Sequence, residues 1–199
     1  MLDIPVYVYG FFGYLTVSSQ VCNFELVSRQ EWLARPPKSP TAMSNPVPHV
    51  IIHHTYQPGA CNTTDECMKA MRWMQDFHQN ERNWSDIGYN FAVGGDGKAY
   101  VGRGWSIVGA HAPTYNDKSI GICLIGDWRY ELPNKRQLET VKKLISCGIE
   151  MGKIAPNYTL FGHKQVREGT ECPGDRLFEE ITKWEHFSWN PPSVWSPKT

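Results

Sequence analysis

The sequence predicts an α/β fold in which helices cover a central mixed, mainly parallel β-sheet. Its 199 residues are enough to bury a sizeable core. Short apolar runs, rich in β-branched and aromatic residues, alternate with two longer segments of helical periodicity. Several short runs are apolar on both faces, as in strands that are covered on both sides. Strands that alternate with helices favour layers of helix on a sheet.

The predicted strands are five apolar runs, in chain order HVIIHH (49–54), YNFAVGG (89–95), KAYVG (98–102), SIGICLIGD (119–127) and YTLFGH (158–163). The glycines of GDGKA, residues 95–99, predict a hairpin turn between the second and third runs. A phosphate-binding loop is excluded at this turn because no Lys-Ser or Lys-Thr step follows it.

About three helices are predicted in the covering layers. The first, over residues 63–82, begins at a capping Thr or Asp. Its apolar side chains recur at helical spacing, at Met68, Met71, Met74 and Phe77. The second helix, over residues 134–152, has the same periodicity and ends at Gly152. A shorter helix is predicted within residues 172–184.

One domain is predicted over residues 20–189, because the chain contains no internal repeat and no low-complexity block. Residues 1–19 contain an uncharged apolar run, Ile4 to Val17, which is too short to span a bilayer but matches a signal-peptide core. We therefore expect a secreted, extracellular protein with no membrane span. The proline-rich, polar residues 190–199 predict a disordered tail.

The charge balance bears on the partners. Twenty basic and 20 acidic side chains cancel, which argues against nucleic acid or an anionic membrane surface as the partner. The 8 Trp and 9 Tyr residues are suited to lining a groove for an amphipathic ligand. The alternative is that most of these aromatic side chains fill the core.

Two histidines and a cysteine are candidate metal ligands. In VIIHHT, side chains alternate across the strand, so His53 and His54 point to opposite faces and at most one easily joins a given site. His163 ends a later strand, and Cys172 follows nine positions on, close enough in a loop to meet the same point. A His2Cys set is a known catalytic zinc arrangement. The alternatives are a hydrogen-bonded structural histidine and a disulfide at Cys172.

Spacing favours a disulfide between Cys61 and Cys67, and Cys22 and Cys147 can then form a second one. The first closes a short loop just before a helix, which is a common staple in an oxidising compartment. The second would join the start of the domain to the second helix. Cys123, in the middle of an apolar strand, is interpreted as a buried thiol, and Cys172 is then left unpaired.

Four segments together resemble the peptidoglycan recognition proteins, most closely their catalytic LB-type members: VIIHHT (50–55), DIGYNFAVGGDGKAYVGRGW (86–105), GAHAPTYNDKSIGICLIGDW (109–128) and LFGHKQVREGTECPG (160–174). The resemblance runs from about Cys22 to Phe187. It places the chain with the zinc-dependent N-acetylmuramoyl-L-alanine amidases of the bacteriophage type. It also implies a peptidoglycan-binding groove with zinc at its floor.

The resemblance implies a role for individual residues. The zinc ligands would be His53, His163 and Cys172. The catalytic residues would be Tyr89, whose alternative role is that of an ordinary strand tyrosine, and Thr170, which lines the site. The substrate-binding residues would be His54, Thr55, Trp105, His111 and Lys118. The family usually has one residue fewer between the histidine and the cysteine, and the extra residue lies around Gly169.

The implied activity is hydrolysis of the amide bond between the lactyl group of N-acetylmuramic acid and L-alanine in bacterial peptidoglycan, which would damp an innate immune response. The implied partners are muropeptides of the meso-diaminopimelate type, because Gly104 and Trp105 match a pair in members with that preference. Lys118 is the nearby cation for the extra carboxylate. The alternatives are a binding-only receptor, and a protein whose zinc is structural.

Overall fold

The computed structural model describes residues 22–191, so the predicted signal peptide and most of the predicted tail lie outside the described residues. A six-stranded sheet forms the centre. Its strands are β1 (Leu26–Val27), β2 (Val47–His54), β3 (Phe91–Val93), β4 (Ala99–Val101), β5 (Ser119–Leu124) and β6 (Ile154–Gly162). Five of them match the predicted runs, and the two-residue β1 was not predicted.

The sheet is mixed and mainly parallel, as predicted. Its strand order is β1-β4-β3-β5-β2-β6, and only the β3–β4 pair is antiparallel among the pairs described. That pair is the predicted hairpin, in which the backbone N–H of Gly94 donates to the carbonyl of Lys98. Strands β5, β2 and β6 are mutually parallel, so their carboxyl ends meet at one end of the sheet.

The helices of the described chain are α1 (Thr64–Asp76), α2 (Lys135–Glu150), α3 (His163–Val166) and α4 (Asp175–Ile181), and a π-helical turn (Phe77–Glu81) continues α1. Thr63 caps α1 in a capping box with Glu66, an arrangement worth about 1 kcal/mol. Asn134 caps α2 through the N–H of Gln137. The four-residue α3 is an addition to the three predicted helices.

Helices pack on both faces of the sheet, which explains the strands that are apolar on both sides. One face packs against α2 and α4, with Val50, Ile52, Ile122 and Leu124 in the interface. The opposite face packs against α1, where Cys123 and Met71 share a buried cluster. Within the part of the chain that the structure describes, no helix combines the length and the apolarity needed to cross a bilayer.

Both predicted disulfides are present. Cys61–Cys67 closes the loop that enters α1, and Cys22–Cys147 ties the first described residue to α2. Cys123 is a buried free thiol and Cys172 is a half-buried one, both as predicted.

Candidate metal centre

Two neighbouring parallel strands bring His53 and His163 together. Ile52 of β2 is in register with Gly162, the last residue of β6, and each histidine is the next residue along the chain. His163 is also the first residue of α3, which begins where β6 ends. The centroids of the two imidazole rings are 4.4 Å apart. Sheet register therefore places residues that are 110 positions apart in sequence at one point.

A loop returns Cys172 to the same point. The N–H of Lys164 donates to the carbonyl of Cys172 at 2.8 Å, and the N–H of Cys172 donates to Thr170 Oγ1 at 3.2 Å. The backbone N–H of His54 donates to Cys172 Sγ at 3.4 Å. Gly169, near which the extra residue of this loop is predicted, has φ +74° and open space where a Cβ atom would lie.

The candidate ligand atoms of His53, His163 and Cys172 all lie within 4.8 Å of one another. Burial lowers the pKa of His53 well below its usual value and that of His163 to about 4, so both imidazoles are neutral at pH 7. Burial also raises the pKa of the Cys172 thiol to about 12. Neutral imidazoles are ready to bind a metal, whereas the thiol needs a nearby cation to lose its proton.

His163 shows that this cluster fits a metal ion. Both of its ring nitrogens are buried and have no hydrogen-bond partner among the described residues. An unsatisfied buried polar group costs about 1–3 kcal/mol, so such an arrangement is unfavourable unless a ligand completes it. Two neutral imidazoles and one thiolate form a donor set that zinc prefers.

His111 lies behind His53 rather than in the groove. Its Nδ1 is 3.0 Å from Nε2 of His53, while Nδ1 of His53 faces Cys172 Sγ at 3.7 Å. The ring of His111 packs directly over Gly121 of β5 and against Gly109, where a Cβ atom would overlap it. The two glycines thus form the slot that holds His111 against His53.

Tyr89 is half-buried beside the cluster, with its ring centroid 5.3 Å from that of His53. Burial raises the pKa of its hydroxyl well above the usual value, so the hydroxyl remains a hydrogen-bond donor at neutral and moderately alkaline pH. Tyr89 and Thr170 both line a cavity of about 360 Å³ that opens over the cluster. The two residues predicted as catalytic are therefore brought to one site.

Two predicted substrate-binding residues, His54 and Thr55, line the same cavity. His54 is buried, its Nδ1 accepts the N–H of Trp128 at 3.3 Å, and burial lowers its pKa to about 4. The hydroxyl of Thr55 accepts the N–H of Gly126 at 2.8 Å and donates to the carbonyl of Pro58 at 2.7 Å. Thr55 therefore fastens together the loops that follow β2 and β5.

The structure places Trp105 away from the cavity. Its ring packs against Phe91 at a centroid distance of 4.3 Å and against Gly148 of α2, on the sheet face opposite to His53. The turn after β4 carries the Trp105 side chain into the α2 layer, outside this cavity. A contact of Gly104 and Trp105 with the substrate stays a prediction.

Lys118 lies at the far end of the sheet face that carries His53. It directly precedes β5, and its Nζ is 4.7 Å from the ring centroid of Tyr115. Ser119, the residue after Lys118, is in register with His49, which lies four positions before His53 on β2. Lys118 is thus outside the cavity but in line with it.

Tyr56, Arg129 and Glu171 line the polar side of the cavity and were not predicted from the sequence. The guanidinium of Arg129 forms hydrogen bonds to both carboxylate oxygens of Asp127, from Nε at 3.0 and 3.1 Å and from Nη2 at 2.8 Å. Their position in the chain could have indicated them. They lie in the loops after the carboxyl ends of β2, β5 and β6, and ligands of α/β proteins bind at such loops.

A mainly parallel sheet with a His2Cys cluster at its carboxyl edge, in a cavity beside a tyrosine, is an arrangement typical of metal-dependent hydrolases. Residues 43–175 match the N-acetylmuramoyl-L-alanine amidase family. The chain is 58% identical over 168 residues to peptidoglycan-recognition protein LB of Drosophila melanogaster, covering 84% of this chain and 72% of that protein. The chain therefore belongs to the peptidoglycan recognition proteins of the amidase family.

Other relatives are consistent with this assignment. The N-acetylmuramoyl-L-alanine amidase of Mus musculus is 44% identical over 163 residues, which are 80% of this chain and 31% of that protein. The wild-type Drosophila LB structure superposes with a TM-score of 0.81 at 59% identity, covering 82% of this chain and 96% of the other. A structure of the LE protein in complex with tracheal cytotoxin, a monomeric diaminopimelic acid-type peptidoglycan, gives 0.80 at 42% identity, covering 82% and 95%.

Proposed function

We propose that the protein is a secreted zinc amidase that hydrolyses the bond between the lactyl group of N-acetylmuramic acid and L-alanine in bacterial peptidoglycan. The observation that carries the proposal is the His2Cys cluster, whose ligand atoms lie within 4.8 Å of one another beneath an open cavity. Removal of immune-stimulating muropeptides would damp an innate immune response. The two disulfides support an oxidising, extracellular location.

His53, His163 and Cys172 would hold the metal. Three protein ligands leave a fourth position for water or substrate, whereas a structural zinc site uses four protein ligands. This difference favours the catalytic alternative over a structural zinc. When bound, zinc supplies a water of lowered pKa, about 7 instead of 15.7, and polarises the amide carbonyl.

Tyr89 would stabilise the reacting carbonyl. Its hydroxyl stays protonated because burial raises its pKa, and the cavity wall places it beside the ligand cluster. A hydrogen bond from this hydroxyl to the carbonyl oxygen strengthens as negative charge develops on that oxygen. Thr170 contributes through the loop, since its hydroxyl accepts the N–H of Cys172.

His111 would act as a positioning residue for His53. If Nδ1 of His53 binds the metal, the proton of that ring must be on Nε2, from which it is donated to Nδ1 of His111 at 3.0 Å. When one ring nitrogen binds a metal, a hydrogen bond from the other ring nitrogen fixes the tautomer and the orientation of the imidazole. The glycine slot keeps His111 in the position to accept it.

We expect His111→Ala to lower zinc affinity by about 10- to 100-fold, because His53 loses the partner that fixes its ring. Competition with a chromophoric chelator measures this affinity without any activity assay. His186→Ala is the matched control, because His186 stacks on Tyr158 on the opposite face. An unchanged zinc affinity in His111→Ala would show that His111 does not position His53.

The proposed substrate is peptidoglycan with meso-diaminopimelate in the stem peptide. Structures of relatives in complex with tracheal cytotoxin support this choice, among them a Tyr-to-Phe variant of the Drosophila LB protein with a TM-score of 0.81 at 59% identity, covering 82% of this chain and 96% of the other. Lys118 is the candidate partner of the extra carboxylate. Four strand residues span about 13 Å, of which an extended stem tripeptide can cover about 10 Å.

A digest of defined muropeptides, with diaminopimelate-type and lysine-type stems, tests the proposal. We expect mass spectrometry to detect release of the free stem peptide, faster for the diaminopimelate type, with loss of activity in a chelator and recovery with zinc. Equal rates for the two stems would reject the preference alone. Binding without release in zinc-loaded protein would instead favour the receptor alternative.

A further inference from the structure

An aromatic and charged rim borders the candidate metal centre on the side away from Lys118. It consists of Tyr56, Arg129 and Tyr130, with Asp127 and Glu171 beside them. Tyr56 and Tyr130 are 50% and 78% exposed, so each offers an apolar ring with a polar hydroxyl to a ligand. Tyr56, Arg129 and Glu171 also line the cavity above the cluster.

The rim is ordered before any ligand arrives. The guanidinium carbon of Arg129 lies 4.7 Å from the ring centroid of Tyr56 and 5.1 Å from that of Tyr130. Asp127 fixes the guanidinium through Nε and Nη2, and the N–H of Tyr56 donates to the carbonyl of Gly126 at 3.0 Å. A preordered surface loses little entropy on binding.

The charges of the rim suit a neutral polar ligand. Arg129 is paired with Asp127, and its Nη1 also contacts the exposed Glu171 at 3.4 Å, so the three side chains sum to a negative rather than a positive charge. A carboxylate or phosphate would be repelled by this set. A sugar instead offers apolar C–H faces to the tyrosine rings, and hydroxyl and acetamido groups to Arg129 and Glu171.

The position of the rim relates it to the substrate. Lys118 lies just before β5, and the rim residues Arg129 and Tyr130 lie after it, so they are at opposite ends of that strand. The metal centre, at the end of β2, lies between Lys118 and the rim. If the stem peptide extends from the scissile amide towards Lys118, then the lactyl group and its sugar must extend towards the rim. The glycan strand would then cross Tyr56 and Arg129.

We propose that Tyr56, Arg129 and Tyr130 form a saccharide subsite that binds the glycan strand on the lactyl side of the scissile amide. This inference rests on the proposed amidase function. It assigns to the enzyme a preference for stem peptides attached to more than one sugar, so that glycan length becomes a determinant of specificity alongside the stem peptide.

Two substrates with the same stem tripeptide test the subsite, one attached to a single N-acetylmuramic acid and the other to a tetrasaccharide of alternating N-acetylglucosamine and N-acetylmuramic acid. We expect the parent to have a kcat/KM roughly tenfold higher for the tetrasaccharide, mainly through KM. Tyr56→Ala, Arg129→Gln and Tyr130→Ala should each bring this ratio towards one. Arg176→Gln, which removes an exposed arginine paired with Glu179, should keep the parental ratio.

Affinity gives a readout that does not depend on cleavage. Calorimetry with a Cys172→Ser protein should show tighter binding of the tetrasaccharide substrate, and adding Tyr130→Ala should remove the difference. A parent that cleaves or binds both substrates equally well would overturn the subsite, and so would rim variants that lose both substrates equally. If the parent cleaves neither substrate yet still binds the tetrasaccharide more tightly, the amidase function fails and the subsite stands.

Discussion

Cys172→Ser is expected to abolish hydrolysis while leaving the fold intact. A thiolate is a strong zinc ligand and a serine hydroxyl is a poor one, so zinc content should fall from about one ion per chain to near zero. Without zinc the cavity lacks an activated water at neutral pH. Atomic absorption of the purified protein and the muropeptide digest measure the two losses.

The fold should survive because Cys172 is held mainly through its backbone. The carbonyl of Cys172 accepts from Lys164 and its N–H donates to Thr170, and serine preserves both hydrogen bonds. A cysteine-to-serine variant of the Drosophila LB protein has a similar fold, with a TM-score of 0.79 at 58% identity, covering 82% of this chain and 99% of the other. Muropeptide binding should therefore persist in Cys172→Ser.

The control for this experiment is the other free cysteine. Cys123→Ser should retain its zinc, because the sulfur of Cys123 is not part of the ligand cluster. Amidase activity near the parental level in Cys172→Ser would refute the zinc assignment, and global unfolding would refute the claim that this side chain serves the site rather than the core.

Tyr89→Phe is expected to lower kcat by about 100- to 1,000-fold and to leave KM nearly unchanged, because the lost hydrogen bond matters most in the transition state. The ring remains to pack beside His53, so zinc content should stay at the parental level. Steady-state kinetics on one muropeptide, together with metal analysis, separates loss of the donor from loss of the metal.

Tyr158→Phe is the matched control for this hydroxyl. Tyr158 belongs to β6, stacks on His186 and lies on the far side of the sheet, so its substitution should leave kcat at the parental value. A Tyr89→Phe enzyme with parental kcat would show that the Tyr89 hydroxyl is not needed. A large rise in KM instead would assign Tyr89 to substrate binding.

The sequence was sufficient to predict most of the fold because its strands and helices differ in period. Apolar runs located β2 and β5, and apolar residues at helical spacing located α1 and α2. The two-residue β1 and the four-residue α3 were missed, since segments so short carry no period.

The candidate site was predicted unevenly. Residue types and spacing pointed to His163, Cys172 and one of the adjacent histidines His53 and His54 as metal ligands. The family resemblance then selected His53. His111 and Trp105 were predicted to line the groove, whereas the structure packs His111 against His53 and the ring of Trp105 against Phe91. The sequence could not show these side-chain directions, because both residues lie in loops, where no strand alternation fixes the direction of a side chain.

The slot made by Gly109 and Gly121 for the ring of His111 has an evolutionary consequence. A larger residue at position 121 is incompatible with the histidine, but it becomes acceptable once the histidine has been replaced by a smaller side chain. Positions 109, 111 and 121 should therefore covary among related sequences. Lineages that abandon catalysis and keep only recognition would be released from the requirement for glycine first at this slot, before the sheet itself changes.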